Sequence, residues 1–152
     1  MPQTTQFQGA RLIPNLVYHD VDEAIIWFDR AFGFTVLLRV EGEGGRIDHA
    51  QLVRDEMMIM LSSVRDDEYG RHFETPKAKG ISTQGAYIIV NDVAGAYERA
   101  LAAGAQVVVE LQSQDYGGEG FTVRDPEGHI WSFGDYNPWV LWGYEKGLRY
   151  AL

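Results

Sequence analysis

Cysteine is absent from this 152-residue sequence. Disulfide frameworks, thiolate nucleophiles and zinc-thiolate sites are therefore excluded, and the composition suits a reducing compartment, so a soluble, cytoplasmic protein is expected. The start, MPQTTQFQGARL, has neither a basic opening nor an apolar export core. No run approaches the ~20 apolar residues that cross a bilayer, so no membrane partner is expected. Basic residues are few: 13 Lys and Arg against 22 Asp and Glu, a net charge of -9. Without a Lys/Arg cluster, counterion release cannot drive association with a phosphate backbone, and nucleic acid is not an expected partner. The sequence also lacks a GxSxG elbow, a P-loop, a GxGxxG fingerprint, an HExxH pair and a His-x-His pair.

What is present is an internal repeat. HDVDEAIIWFDRAFGFTVLL, from His19, and NDVAGAYERALAAGAQVVV, from Asn91, each open with Asp-Val, run through about three helical turns to a glycine, and enter a Val/Leu-rich strand. Further on, GGRIDHAQLVRD matches GGEGFTVRD, which sets Val53-Arg54-Asp55 on Val123-Arg124-Asp125. The chain reads as a single domain, 1–152, with a first βαβββ unit at 11–64, a linker at 65–83, a second unit at 84–136 and an aromatic tail at 137–152.

The order within each unit follows from spacing. In the first, RLIPNLVY (11–18) reads as a strand, and Asp20 with Glu23 three residues on reads as a helix start. Val21, Ala24, Ile25, Phe28 and Phe32 make one apolar stripe, and Gly33 ends the helix where a left-handed residue costs least. Strands are expected near 34–41, 46–54 and 56–63. In the second unit Asp92 opens the helix, Val93, Ala96, Tyr97, Ala100 and Leu101 form the stripe, and Gly104 closes it. Strands are expected near 106–112, 119–125 and 129–135. The linker RDDEYGRHFETPKAKGISTQ reads as polar surface, and Trp139, Trp142, Tyr144 and Tyr150 make the tail too aromatic for a free end.

The paired units and the closing stretch YGGEGFTVRDPEGHIWSFGDY resemble the vicinal oxygen chelate superfamily, which includes glyoxalase I, extradiol dioxygenases, fosfomycin-resistance proteins and bleomycin-resistance proteins. Over about residues 11–136 the likeness is to the PhnB-like and bleomycin-resistance-like branch. The resemblance implies an α+β fold, two tandem βαβββ units forming a curved mixed sheet with a cup-shaped cavity, and a homodimer. It also implies metal-ligand positions: seven residues before Asp20 and Asp92, seven after Asp125, and one on EMMIMLSS. These are Ile13, Gly85, Ser132 and about Met60. None is a His, Glu or Gln, so no metal or other cofactor is expected.

By strand alternation, Ile13, Asn15 and Val17 face the cup while Leu12, Leu16 and Tyr18 meet the helix. Met58, Met60, Ser62, Gly85, Tyr87, Ile89, Ile130 and Ser132 join the cup. His49, with Gln51 and Val53 on its face, is the candidate acid/base; its counterparts in the repeat are Glu119, Phe121 and Val123. Relatives in the PhnB-like group carry Tyr-Gly-Asp-Arg where this chain has Tyr116-Gly117-Gly118-Glu119, a change that favours a cation or hydrogen-bond donor. The candidate ligand-binding set is thus Asn15, Val17, His49, Met58, Met60, Tyr87, Tyr116, Glu119 and Ser132. The functional expectation is metal-independent binding or sequestration of a hydrophobic or aromatic, antibiotic-like small molecule. The alternatives are a lyase, isomerase or dioxygenase using a relocated metal or His49 with Tyr87 or Tyr116, and a subunit that only dimerises through its tail.

Overall fold

The computed structural model describes residues 9–115 and 117–141. The first unit comprises β1 (Asn15–Tyr18), α1 (Val21–Phe32), β2 (Thr35–Glu41), β3 (Ile47–Arg54) and β4 (Met57–Ser63). A short helix, α2 (Pro76–Lys79), lies between the units. The second comprises β5 (Gly85–Ile89), α3 (Val93–Ala102), β6 (Gln106–Ser113), β7 (Glu119–Arg124) and β8 (Ile130–Gly134), followed by α4 (Pro138–Leu141). The described residues form two four-stranded sheets of the same topology, β1-β4-β3-β2 and β5-β8-β7-β6. In each, the first strand runs parallel to the last and the remaining pairs are antiparallel. The fold is therefore α+β, built of two βαβββ units, each with its own mixed sheet.

Helix boundaries fall where the capping residues put them. Asp20 accepts a hydrogen bond from the Glu23 amide (3.0 Å), and Asp92 does the same for Gly95 (3.0 Å), satisfying donors left free in a first turn. Gly33 ends α1 at φ 73°. The strand at 11–18 is shorter than expected: Pro14 lacks an amide donor, the ladder starts at Asn15, and Leu12 is 89% exposed instead of meeting the helix. Leu101, expected in the stripe of α3, is also exposed.

The helix-bearing faces of the two sheets share one core. Phe28 and Phe32 of α1 pack edge-on and tilted against Trp131 (5.3 and 5.7 Å), and Phe32 reaches Phe133 (4.7 Å), which stacks on Phe121. These rings are almost fully buried; burying each is worth about 1.5–3 kcal/mol. The two helices also close each other's ends. The Trp27 indole donates to the Ala103 carbonyl at the end of α3 (2.9 Å), while Arg99 of α3 donates to the Asp29 and Arg30 carbonyls at the end of α1 (2.7 and 2.8 Å). Part of the linker joins this body, with Thr75 capping α2 and Pro76 buried. Of the tail aromatics, Trp139 is exposed on α4; Trp142, Tyr144 and Tyr150 lie outside the described residues.

Candidate functional site

With Tyr18, Ala50, Leu52, Ile59 and Leu61 buried on the helix side, alternation sends the intervening side chains to the opposite, open face of the first sheet. The register sets Asn15 beside Met60 and Met60 beside Gln51; Met58 lies beside Val53. On the outer strand Leu38 pairs with Gln51 and Val40 with His49, and both aliphatic side chains stay 41–43% exposed. The Gln51 amide donates to His49 Nε2 (3.0 Å), and the Asn15 amide donates to the Tyr69 hydroxyl (2.9 Å). Four expected residues, Asn15, His49, Met58 and Met60, therefore share one face. Val17 lies on it as well, and its carbonyl accepts from His129 Nε2 (2.9 Å).

The open face of the second sheet carries Tyr87, Thr122 and Ser132 in one register row, with Gly120 and Gly134 on one side and Arg124, Ile130 and Gly85 on the other. The Thr122 and Ser132 hydroxyls are bonded to each other (2.8 Å). Tyr87 donates to the Tyr136 carbonyl (2.8 Å), and its ring covers Gly134: a Cβ there would come within 2.7 Å of the hydroxyl oxygen. Tyr87 and Ser132 are thus brought together, on a different sheet from His49. Tyr116 lies outside the described residues. Glu119 has the parity of Phe121 and Val123, which are buried in the core, so it does not share the open face with Ser132.

That parity corrects one step of the sequence alignment. Val53 and Arg54 were matched to Val123 and Arg124, yet Val123 is fully buried and pairs with Trp131, whereas Val53 pairs with Met58 on the open side. The hairpins explain it. Asp55 and Glu56 alone turn β3 into β4, with Asp55 at φ 53°, while residues 125–129 turn β7 into β8. A one-residue offset exchanges the two faces. The residues that truly correspond to Met60 and Gln51 are Ser132 and Thr122, and sequence spacing alone passed over Thr122 and Arg124.

Two cavities among the described residues bear on the expected cup. Both lie along the seam between units. One of about 670 Å³ is walled by Trp27, Phe28, Lys77 and Glu127; another, of about 830 Å³, by Ile13, Asn15, Val17, Arg71, Gly85 and Ile130. The first is also lined by Asp125, almost fully buried. Its Oδ2 accepts from the Tyr18 hydroxyl (2.6 Å) and the Trp131 indole (3.0 Å), and its Oδ1 from the Glu127 and His129 amides. Burial raises the Asp125 carboxyl above its ordinary range, and burial together with the adjacent carboxylate raises the Tyr18 hydroxyl well above its own. With every lone pair engaged, this carboxylate is a structural hub and not a free base.

The metal implied by the resemblance does not fit these residues. Met60 offers a thioether and Ser132 a hydroxyl already bonded to Thr122, Gly85 has no side chain, and Ile13 has no donor. A divalent ion requires three or more convergent N/O ligands. Among the described residues, no three His, Cys, Asp or Glu side chains converge elsewhere.

Comparison with known proteins agrees with this architecture. Residues 12–133 match the family model of the Glyoxalase/Bleomycin resistance protein/Dioxygenase superfamily, and the chain belongs to that superfamily. It is 37% identical over 123 residues to the uncharacterised protein Rv0887c of Mycobacterium tuberculosis, covering 81% of this chain and 72% of that one. Its structure is similar to that of TioX from Micromonospora sp. ML1 (TM-score 0.68, 33% identity, 85% of this chain and all of that one). A bleomycin-binding protein complexed with bleomycin shares the fold at 20% identity (TM-score 0.61, 84% of this chain and 99% of that one).

Proposed function

We propose that this protein binds or sequesters a hydrophobic or aromatic small molecule without a metal, on the open faces of its two sheets, and that a second copy of the chain closes those faces. The observation that carries the reading is the face holding Met58, Met60, Gln51, His49 and Asn15, with Leu38 and Val40 half-exposed at its edge. Flexible thioethers and aliphatic side chains around a few polar groups suit an apolar ligand, and a ladder edge of exposed aliphatics suits burial against another subunit. A protein of the same fold captured with bleomycin supports the same use of the scaffold. A cytoplasmic location belongs to this proposal and rests on the cysteine-free composition. Acid/base catalysis by His49 has less support, since His49 Nε2 is taken up by Gln51 and the Tyr87 hydroxyl by a backbone carbonyl.

The experiment is a thermal-shift screen of aromatic antibiotics and planar aromatic compounds, paired with sedimentation of the free protein. Saturable stabilisation that grows with ligand concentration, from a dimer, is the expected result. Metal-dependent turnover of a hemithioacetal or a catechol, with no stabilisation by any aromatic compound, would replace it with an enzyme.

A further inference from the structure

We infer that the open face of the second sheet selects an anionic aromatic molecule, with the Arg124 guanidinium receiving its carboxylate; this rests on the reading of that face as a binding surface. Arg124 ends β7, paired with Ile130 on one side and Gln106 on the other. Its neighbour Val123 is fully buried, and Thr122, two residues away, meets Ser132 on the open side. Arg124 therefore emerges on the open face.

It is half-buried there, yet it has no hydrogen-bond or ion-pair partner among the described residues. Other arginines are engaged: Arg39 with Asp22 and Glu41, Arg46 with Asp48, Arg65 with Asp67, Arg54 with the Phe32 carbonyl. Arg30 and Arg71 also lack a partner, but both are exposed, where water suffices. Among the described residues, the acidic side chains of the β7 strand and of the residue that follows it face elsewhere. Asp125 is turned into the core, and Glu119 lies on the opposite parity. A partly desolvated guanidinium with a free planar fork of donors is matched by a carboxylate, which it grips with two parallel bonds.

The rest of the face sets the shape of the ligand. At the far end, the half-exposed Tyr87 side chain reaches over Gly134, its hydroxyl bonded to the Tyr136 carbonyl. Between ring and guanidinium lies the Thr122–Ser132 hydroxyl pair. From the Gly134 row to the Ile130 row is four strand residues, roughly 13 Å at about 3.3 Å per residue. Two linked aromatic rings bearing a terminal carboxylate span that distance, stacking on Tyr87 at one end and meeting Arg124 at the other.

Calorimetric titration with biphenyl-4-carboxylate, biphenyl-4-carboxamide and 4-biphenylmethylamine tests the inference. These probes share a shape and differ in charge. The expected result is that the carboxylate binds at least about tenfold more tightly than the carboxamide, the factor that corresponds to one charge-assisted bond. Arg124→Gln should abolish that preference without lowering the melting temperature, and Arg124→Glu should transfer it to the amine. Equal binding of carboxylate and carboxamide by the unmodified protein, or a preference that survives Arg124→Gln, would overturn the inference while leaving an aromatic binder in place. If none of the three probes binds, both the aromatic binder and the anion preference are lost.

Discussion

The Tyr18 hydroxyl, at the end of the first strand, donates to Asp125 Oδ2 at 2.6 Å, a bond made in a fully buried setting between residues 107 positions apart. Tyr18 belongs to the first unit and Asp125 to the last hairpin of the second, so this pair stitches the repeat together. Replacing Tyr18 by Phe removes one of the two donors to Oδ2 and leaves the ring packing intact. A loss of about 1–2 kcal/mol in urea unfolding is expected, the cost of a buried acceptor short of a partner. Unchanged stability would mean that water enters the site.

Asp125 makes stability depend on pH in a defined direction. Because burial raises its carboxyl in the folded state above the ordinary value of 3.8, the folded protein takes up a proton before the unfolded chain does. Its contribution is therefore fully present below the ordinary carboxylate range and is lost as pH rises through the raised value. Relative to Asp125→Asn, the unmodified protein should gain stability as pH falls from 7 towards 4. The variant itself should be less stable at every pH, since an amide donor faces the Trp131 indole. Denaturant titrations of both proteins across this range measure the difference, and a difference that shrinks with acidification would contradict the assignment.

Arg54 and Arg124 occupy matching positions in the sequence repeat but opposite faces. Arg54 donates to the Phe32 carbonyl at the end of α1 (2.8 Å). Truncating it to Ala should cost about 1–2 kcal/mol, whereas Arg124→Ala should leave unfolding free energy within about 0.5 kcal/mol of the parent. Equal costs would place both side chains on the core side.

Gly33 sits at φ 73°, and a Cβ there would approach an Arg99 guanidinium nitrogen to 2.9 Å. Gly33→Ala should destabilise by about 1–2 kcal/mol from the left-handed backbone alone. Arg99→Met should lose the carbonyl caps on α1, and in that background the alanine substitution should cost less. A double-mutant cycle reads this coupling directly.

The legible part of the fold was local. Asp20, Glu23 and Gly33 delimit α1 because capping chemistry is written within a few residues, and apart from β1, which begins four residues late, the strands of both units lie within a residue or two of where alternation puts them. What escaped was set over distance. Leu12 has helix-facing parity but no strand to hold it once Pro14 breaks the ladder. The face of Arg124 depended on how many residues each hairpin spends turning, a count that a motif match hides. His49, Met58, Met60 and Asn15 were legible as neighbours, since one alternation rule covers them all. Thr122 and Arg124 are not, because the Val-Arg-Asp match between the two units lies one residue out of step with the strand register. No local pattern marks the Trp27 indole as the cap of a helix 76 residues away.

The turn between β7 and β8 has a consequence for how the molecule is assembled. The Glu127 carboxylate receives the His19 and Asp20 amides at the head of α1, and the Glu127 carbonyl receives the Lys77 amide at the head of α2. The head of the first helix is thus held by the last hairpin of the repeat, and in a first unit standing alone these exposed amides would turn to water. If the chain were divided within the linker, these bonds and the shared aromatic core would be what holds the two units together.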